Sequence, residues 1–190
     1  MAWKTLTYEL TSVCPMIMHN GQTADPLNKF SKALKQISSK RLKTDSDLEE
    51  MARIEFMSGL YMGKNGPVIP SPNIDATLLN GAKKSKEGVT AKSSVFCLAH
   101  AELIYEGPRD ANELWQSESF HFSRIVKVGT ARVVRMRPIF NEWRATVKIN
   151  VETSLINESR LVDWWNAAGT TVGLGDWRPQ YGRFEAKRLD

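Results

Sequence analysis

The stretch 173–184 combines residue types that suit a loop binding an extended polymer chain. It contains three glycines, Gly173, Gly175 and Gly182, within twelve residues. Because glycine has no β-carbon, a second backbone can approach such a loop closely. The spacing of these glycines therefore predicts a binding loop rather than a simple hinge.

The same stretch carries two arginines and two aromatic residues between and beside its glycines. Arg178 and Arg183 have forked donors that match phosphate oxygens, and Trp177 and Tyr181 have flat faces on which a base can stack. An alternative fits the residues equally well. The glycines would close the last helix and lead into an edge strand, with both aromatic residues in the core.

Two other segments concentrate positive charge. Residues 29–43 include six basic and no acidic residues, and residues 124–148 include seven basic residues against one acid, Glu142. Runs without acidic partners favour phosphate contacts, although a solvated helix face or an edge strand protected against aggregation explains them too. The predicted nucleic-acid contacts from these segments are Lys29, Lys32, Lys35, Lys40, Arg41, Arg124, Lys127, Arg132, Arg135 and Arg137.

Composition sets the limits of the interpretation. The 190 residues are 42% hydrophobic and 25% charged, with a formal net charge of +5, which is typical of one globular domain and favours an anionic partner. Cys14 and Cys97 are single and far apart, as in reduced intracellular proteins. With no membrane-length apolar run and no signal peptide, we expect a cytoplasmic protein without membrane contacts.

Catalytic and metal-binding patterns are sparse. His19 follows the first predicted strand and is the single candidate general acid or base, whereas His100 and His121 lie inside predicted strands. Neither cysteine pairs with a histidine at metal-ligand spacing. The sequence therefore predicts a non-catalytic protein with no metal site and no cofactor.

The apolar pattern predicts the elements that position these segments. Alternation predicts strands at 2–10, 95–105, 120–137 (a hairpin), 143–151 and 183–187; helical spacing predicts helices after Asp25, after 44–47, after Ser71 and from Asn157 to Gly169. Setting aside the two helices of 26–62 leaves a ferredoxin-like, or RRM-like, β-α-β-β-α-β order in the α+β class. We expect a single domain over 1–190, with a helical insertion at 20–66 and a projecting hairpin at 106–140.

Two motifs carry a resemblance to a known family. Residues 69–71 before a helix that runs through 78–83, together with the late stretch 173–184, resemble the RAMP superfamily of CRISPR-associated RNA-binding proteins, and most of all its guide-RNA-coating backbone subunits. The resemblance implies that Gly173, Gly175, Gly182, Arg178 and Arg183 form a loop beside the guide. It also implies that the hairpin grips the RNA, that copies stack along one strand, and that the protein acts in the cytoplasm of a prokaryotic cell, phage-encoded in one alternative.

Three functional hypotheses follow. The first is a non-catalytic subunit that binds single-stranded RNA, or single-stranded DNA, and assembles with copies of itself and other subunits of a CRISPR-type effector complex. The second is a metal-independent, guide-processing endoribonuclease that uses His19. The third is a phage-encoded protein that either binds single strands or imitates a CRISPR subunit as an inhibitor.

Overall fold

The computed structural model describes residues 2–190, which form an α+β fold with antiparallel sheets. The strands are β1 (Trp3–Ser12), β2 (Met16–Ile17), β3 (Met62–Gly63), β4 (Gly66–Ile69), β5 (Val95–Cys97), β6 (Ala101–Ile104), β7 (His121–Val128), β8 (Ala131–Phe140), β9 (Arg144–Glu152) and β10 (Phe184–Arg188). The helices are α1 (Lys29–Ser38), α2 (Asp45–Gly59), α3 (Ser71–Lys84), α4 (Gly88–Ser94), α5 (Ala111–Gln116) and α6 (Glu158–Ala167). A π-helical turn, Ala168–Val172, continues α6.

The main sheet has the strand order β10-β1-β9-β6-β4-β3, and β5 also pairs with β9. All of these pairings are antiparallel. Along β9, Ala145, Val147 and Ile149 are buried, whereas the residues between them are exposed. The alternation predicted for 143–151 is therefore confirmed, because a period of two places one face of the strand in the core.

The helices α3 and α6 pack beside each other on the buried face of this sheet. Gly81 allows their close contact, since a β-carbon at that position would lie 2.4 Å from the carbonyl oxygen of Trp164. Trp164 and Trp165 are fully buried, and the Trp165 ring lies 5.2 Å from that of Tyr8 on β1. The opposite face of the sheet carries exposed polar residues and stays open to solvent.

The smaller sheet has the order β2-β8-β7, and most of it is the β7–β8 hairpin. Gly129, with a φ of +60°, supplies the left-handed conformation that the tight turn needs. Ile125 and Val134 are 69% and 60% exposed, so the outer part of the hairpin projects from the body. Its base is fixed by β2, where Met16 and Ile17 pair with Phe140 and Ile139.

Several predicted boundaries were wrong. The long strand expected at 95–105 is divided into β5 and β6, because the chain leaves the ladder at Ala99–His100. The residues directly before β5 belong to α4. The expected hairpin at 106–140 covers only 121–140, since α5 occupies part of 106–120. Near the other end of the chain, α6 continues past Gly169 through the π-helical turn to Gly173, whose φ is +79°.

The helical insertion also differs in detail from the prediction. Asn28, not Asp25, caps α1, because the Asn28 side chain accepts the Phe30 N–H. Thr44 and Asp47 form a reciprocal capping box at the start of α2, as the pattern at 44–47 indicated. The segment 20–66 also contains β3, which lies at the edge of the main sheet, and it ends at Gly66, the first residue of β4.

None of the helices within 2–190 is both long enough and apolar enough to cross a lipid bilayer.

Candidate nucleic-acid interface

The glycine-rich stretch folds against the protein's own backbone. A β-carbon on Gly182 would lie 1.7 Å from the carbonyl oxygen of Leu174, and one on Gly175 would lie 2.3 Å from that of Ile17. Gly173, Gly175 and Gly182 all have positive φ angles, between 75° and 80°. The expected close approach is real, but the approaching backbone belongs to this chain. Contact of these glycines with nucleic acid stays a prediction, because their close approach to this chain's own backbone explains the glycines without a ligand.

The side chains of the loop form an aromatic cluster with the hairpin. Phe122 of β7 lies edge-on to Trp177 and to Tyr181, at centroid distances of 5.1 and 5.3 Å. All three rings are half-buried, and the guanidinium of Arg124 lies 5.7 Å from the Phe122 ring. The alternative of fully buried aromatic residues is therefore incorrect. The cluster links the loop to the base of the hairpin and keeps part of each ring accessible.

A groove of about 660 Å³ runs between the loop and the end of α3. Arg178 and Trp177 line it from the loop, and Lys83 and Lys84 line it from α3. Both lysines lie in the last turn of α3, where cations complement the helix dipole, and no local signal in the sequence indicates their neighbours. The structure thus brings three cationic side chains and one aromatic ring to a single surface, which we call the groove.

A smaller cleft of about 210 Å³ adjoins the groove and shares Gly175, Asp176 and Arg178 with it. His19 lines this cleft, and its Nδ1 lies 3.3 Å from Oδ2 of Asp176. The hydrogen bond with His19 lowers the pKa of Asp176, although partial burial of the carboxyl opposes the effect. His19 therefore has an acidic partner that its sequence position did not reveal.

Glu55 of α2 is a buried carboxylate at the base of the hairpin. It accepts hydrogen bonds from Arg135 Nη1 and from the backbone N–H of Met136, the latter at 2.9 Å. Arg137 Nη1 lies 3.9 Å from the same carboxylate, and Arg137 Nε lies 3.9 Å from Oδ2 of Asp176. Burial lowers the pKa of Arg137, while the two carboxylates favour its charged form.

The predicted phosphate contacts at Arg135 and Arg137 stay predictions, because both residues have carboxylate neighbours within the chain. Arg135 pairs with Glu55, whose buried carboxylate needs a partner to offset its desolvation, and Arg137 lies between Glu55 and Asp176. The cations left exposed on the hairpin are Arg124, Lys127 and Arg132. Their register places like charges opposite each other, with Lys127 facing Arg132 and Arg124 facing Arg135.

The other predicted cations lie away from the groove. Lys29, Lys32 and Lys35 are exposed on α1, and Lys40 pairs with Asp47 at 2.5 Å. Arg41 is exposed in the connection between α1 and α2. None of these residues, as placed within 2–190, lines the groove or the cleft.

Arg183 lines neither the groove nor the cleft. Its carbonyl oxygen accepts the Val13 N–H at 2.9 Å, and its own N–H donates to Cys14 Sγ at 3.2 Å. It therefore belongs to the surface beside the end of β1 rather than to the groove.

In the part of the chain that the structure describes, His, Cys, Asp and Glu side chains form no group of three placed to hold a metal ion. His121 Nε2 lies 2.8 Å from the Trp115 carbonyl oxygen, and His100 Nδ1 accepts the Ser71 N–H at 3.0 Å. These two histidines have structural partners.

No family model matches the sequence, and a search of curated proteins finds no significant match.

Proposed function

We propose that this protein binds single-stranded RNA along the groove without reading most of its sequence. The observation that carries the proposal is the convergence of Lys83, Lys84 and Arg178 beside the half-buried ring of Trp177. Cations that follow a backbone, combined with an aromatic ring that stacks on bases, are typical of sequence-tolerant single-strand binding. The net charge of +5 favours the same anionic partner.

The hairpin supports this proposal through its charge register. Like charges directly opposite each other on paired strands are destabilising, and here Lys127 faces Arg132. Phosphate groups beside this pair would neutralise the repulsion. The hairpin therefore acts as a second contact for the strand, beyond the aromatic cluster.

The same proposal includes a ferredoxin-like core. The strand order β10-β1-β9-β6, with α3 and α6 on one face, supports it, because it follows from a β-α-β-β-α-β chain once the α1–α2 segment is set aside. On this basis the protein is a RAMP-type subunit that coats a guide RNA beside copies of itself and other effector subunits. The projecting hairpin and the separate basic face of α1 are the features that such stacking would use.

Salt-dependent binding tests the proposal. Affinity for a fluorescent 20-nucleotide oligouridine is measured by anisotropy across a range of salt concentrations. Each lost phosphate contact lowers the slope of log affinity against log salt by about 0.7 for single strands. The double variant Lys83→Ala/Lys84→Ala is expected to reduce the slope by about 1.4 and to weaken binding.

The matched control is Lys64→Ala/Lys187→Ala, which removes the same charge from exposed positions outside the groove. An equal loss of slope in both double variants would mean that net charge, not the groove, drives binding. Absence of any salt-dependent binding by the unmodified protein would contradict the proposed function itself.

One observation favours a second candidate function, which is RNA cleavage. His19 and Asp176 form a pair inside the cleft, and Arg178 lines the same space. In such cleavage the histidine takes the proton of a 2′-hydroxyl, the 2′-oxygen attacks the adjacent phosphorus, and the bond to the 5′-oxygen breaks, with the 5′-oxygen taking a proton from water to leave as a hydroxyl. The product is a 2′,3′-cyclic phosphate.

Incubation of labelled RNA in EDTA tests this candidate. If this candidate is right, the unmodified protein cleaves the RNA and His19→Ala does not. An RNA with a 2′-deoxy nucleotide at the cleavage position also stays intact. Intact RNA after prolonged incubation with the unmodified protein would exclude it and leave the binding function unaffected.

A further inference from the structure

The cleft has the size and walls of a site for one flat ring system. Its volume of about 210 Å³ lies below the range of about 300–1,000 Å³ that is usual for drug-sized ligands. Its apolar lining comes from β2, the residue after it, and the segment that ends β4: Met16, Met18, Val68, Ile69 and Pro70. Methionine side chains adapt their shape to an apolar guest, so these walls suit the faces of a planar ring.

Most polar groups around the cleft already have partners. The Thr77 hydroxyl donates to the carbonyl oxygen of Gly173 at 3.1 Å, and the Tyr61 hydroxyl donates to that of His19 at 3.1 Å. Asp176 is paired with His19. Asn73 differs, since no hydrogen bond within residues 2–190 engages its carboxamide. A carboxamide offers a donor and an acceptor side by side.

The position of the cleft connects it to the bound strand. The cleft shares Gly175, Asp176 and Arg178 with the groove, so the two spaces meet along the glycine-rich loop. A nucleotide whose phosphate lies near Arg178 can therefore turn its base toward the cleft. The phosphate does not have to leave the cationic groove for this movement.

We propose that the cleft receives one unstacked nucleobase of the bound RNA and that Asn73 makes it prefer adenine. The inference rests on the proposed single-strand binding. The amide of asparagine pairs with the amino group and the adjacent ring nitrogen of adenine, accepting one hydrogen bond and donating the other. The protein thus reads one base in a strand that it otherwise holds by its backbone.

Binding to defined oligonucleotides tests the preference for adenine. We compare a uridine 12-mer with 12-mers that carry one central adenosine, one central cytidine or one central abasic site. The unmodified protein is expected to bind the adenosine oligonucleotide at least about fivefold more tightly than the uridine one. Asn73→Asp removes the donor and is expected to bring that ratio below about twofold.

Two controls separate the preference from folding and from overall affinity. Asn112→Asp makes the same change on the exposed surface of α5 and should keep the full ratio. Asn73 is the third residue of α3, where aspartate suits the helix dipole, so thermal melting should show a folded variant. Tight, salt-dependent binding of all four oligonucleotides with equal affinity would overturn the inference and leave the proposed function standing. Absence of any RNA binding by the unmodified protein would overturn both the inference and the proposed function.

Discussion

Glu55 and Met136 are joined by a hydrogen bond between a buried carboxylate and a backbone N–H 81 residues further along the chain, at 2.9 Å. The same carboxylate pairs with Arg135 and lies near Arg137. One side chain of the helical insertion therefore holds both the backbone and the cations of the hairpin base.

Replacing Glu55 by glutamine is expected to detach the hairpin from α2. The amide keeps the shape of the side chain but leaves Arg135 without its counter-charge and leaves Arg137 with Asp176 alone. Breaking a partly buried charge pair of this kind costs about 2–4 kcal/mol. The measurement is the free energy of unfolding in urea. Glu49→Gln, on an exposed position of the same helix, should change it by less than about 0.5 kcal/mol. Similar values for both variants would mean that the pairing contributes little.

Alanine at Gly182 is expected to disrupt the glycine-rich loop for steric reasons. Gly129→Ala is the matched control, because Gly129 also has a positive φ but no atom lies within 4 Å of its added β-carbon. The control carries only the cost of the left-handed conformation, about 1–2 kcal/mol. Gly182→Ala adds the contact with the Leu174 carbonyl and should lose about 1–3 kcal/mol more. Equal losses of unfolding free energy in the two variants would contradict the described packing.

Reversing the charge of Arg132 is expected to move stability and RNA affinity in opposite directions. Glutamate at this position would face Lys127 and replace a repulsive cross-strand pair by an attractive one, with a gain of about 0.2–1 kcal/mol. The same change removes a phosphate donor, so RNA affinity should fall. Urea unfolding and anisotropy on one protein preparation provide both values. Unchanged RNA affinity in Arg132→Glu would mean that the hairpin is not part of the binding surface.

The Asp176–His19 pair predicts a defined pH dependence of stability. The folded-state pKa of Asp176 lies below its ordinary value of 3.8, mainly because of the hydrogen bond with His19. A carboxyl with a depressed pKa stabilises the fold fully above its unfolded pKa and loses this effect as pH falls through the folded value. The unfolding free energies of the unmodified protein and Asp176→Asn should therefore differ at pH 6 and converge below pH 3.8. A constant difference across this range would contradict the assignment.

The sequence predicted those features that depend on local periodicity. The alternation at 143–151 and the capping box at 44–47 both appear in the structure, because strand period and helix capping act over a few residues. The strand expected at 95–105 is confirmed only in part, since it appears as β5 and β6 with a break at Ala99–His100 that the alternation of apolar residues does not reveal.

The candidate site was only partly predictable for the same physical reason. The glycines of 173–184 predicted that a second backbone comes close to the loop, but they did not indicate that this backbone is the chain's own. Lys83 and Lys84 had a local explanation, and only the folded chain places them beside Arg178. The pairing of Glu55 with Arg135 spans 80 residues, so no nearby residue in the sequence identifies it.

The cross-strand register of the hairpin also affects how the empty protein behaves. The charge of Arg135, opposite Arg124, is offset by Glu55, whereas Lys127 and Arg132 face each other as two exposed like charges. On the proposed function, phosphates beside this exposed pair offset its repulsion, and we expect the hairpin to be more rigid with RNA bound than without it. Amide hydrogen exchange that slows selectively over 121–137 when RNA is added would support this expectation.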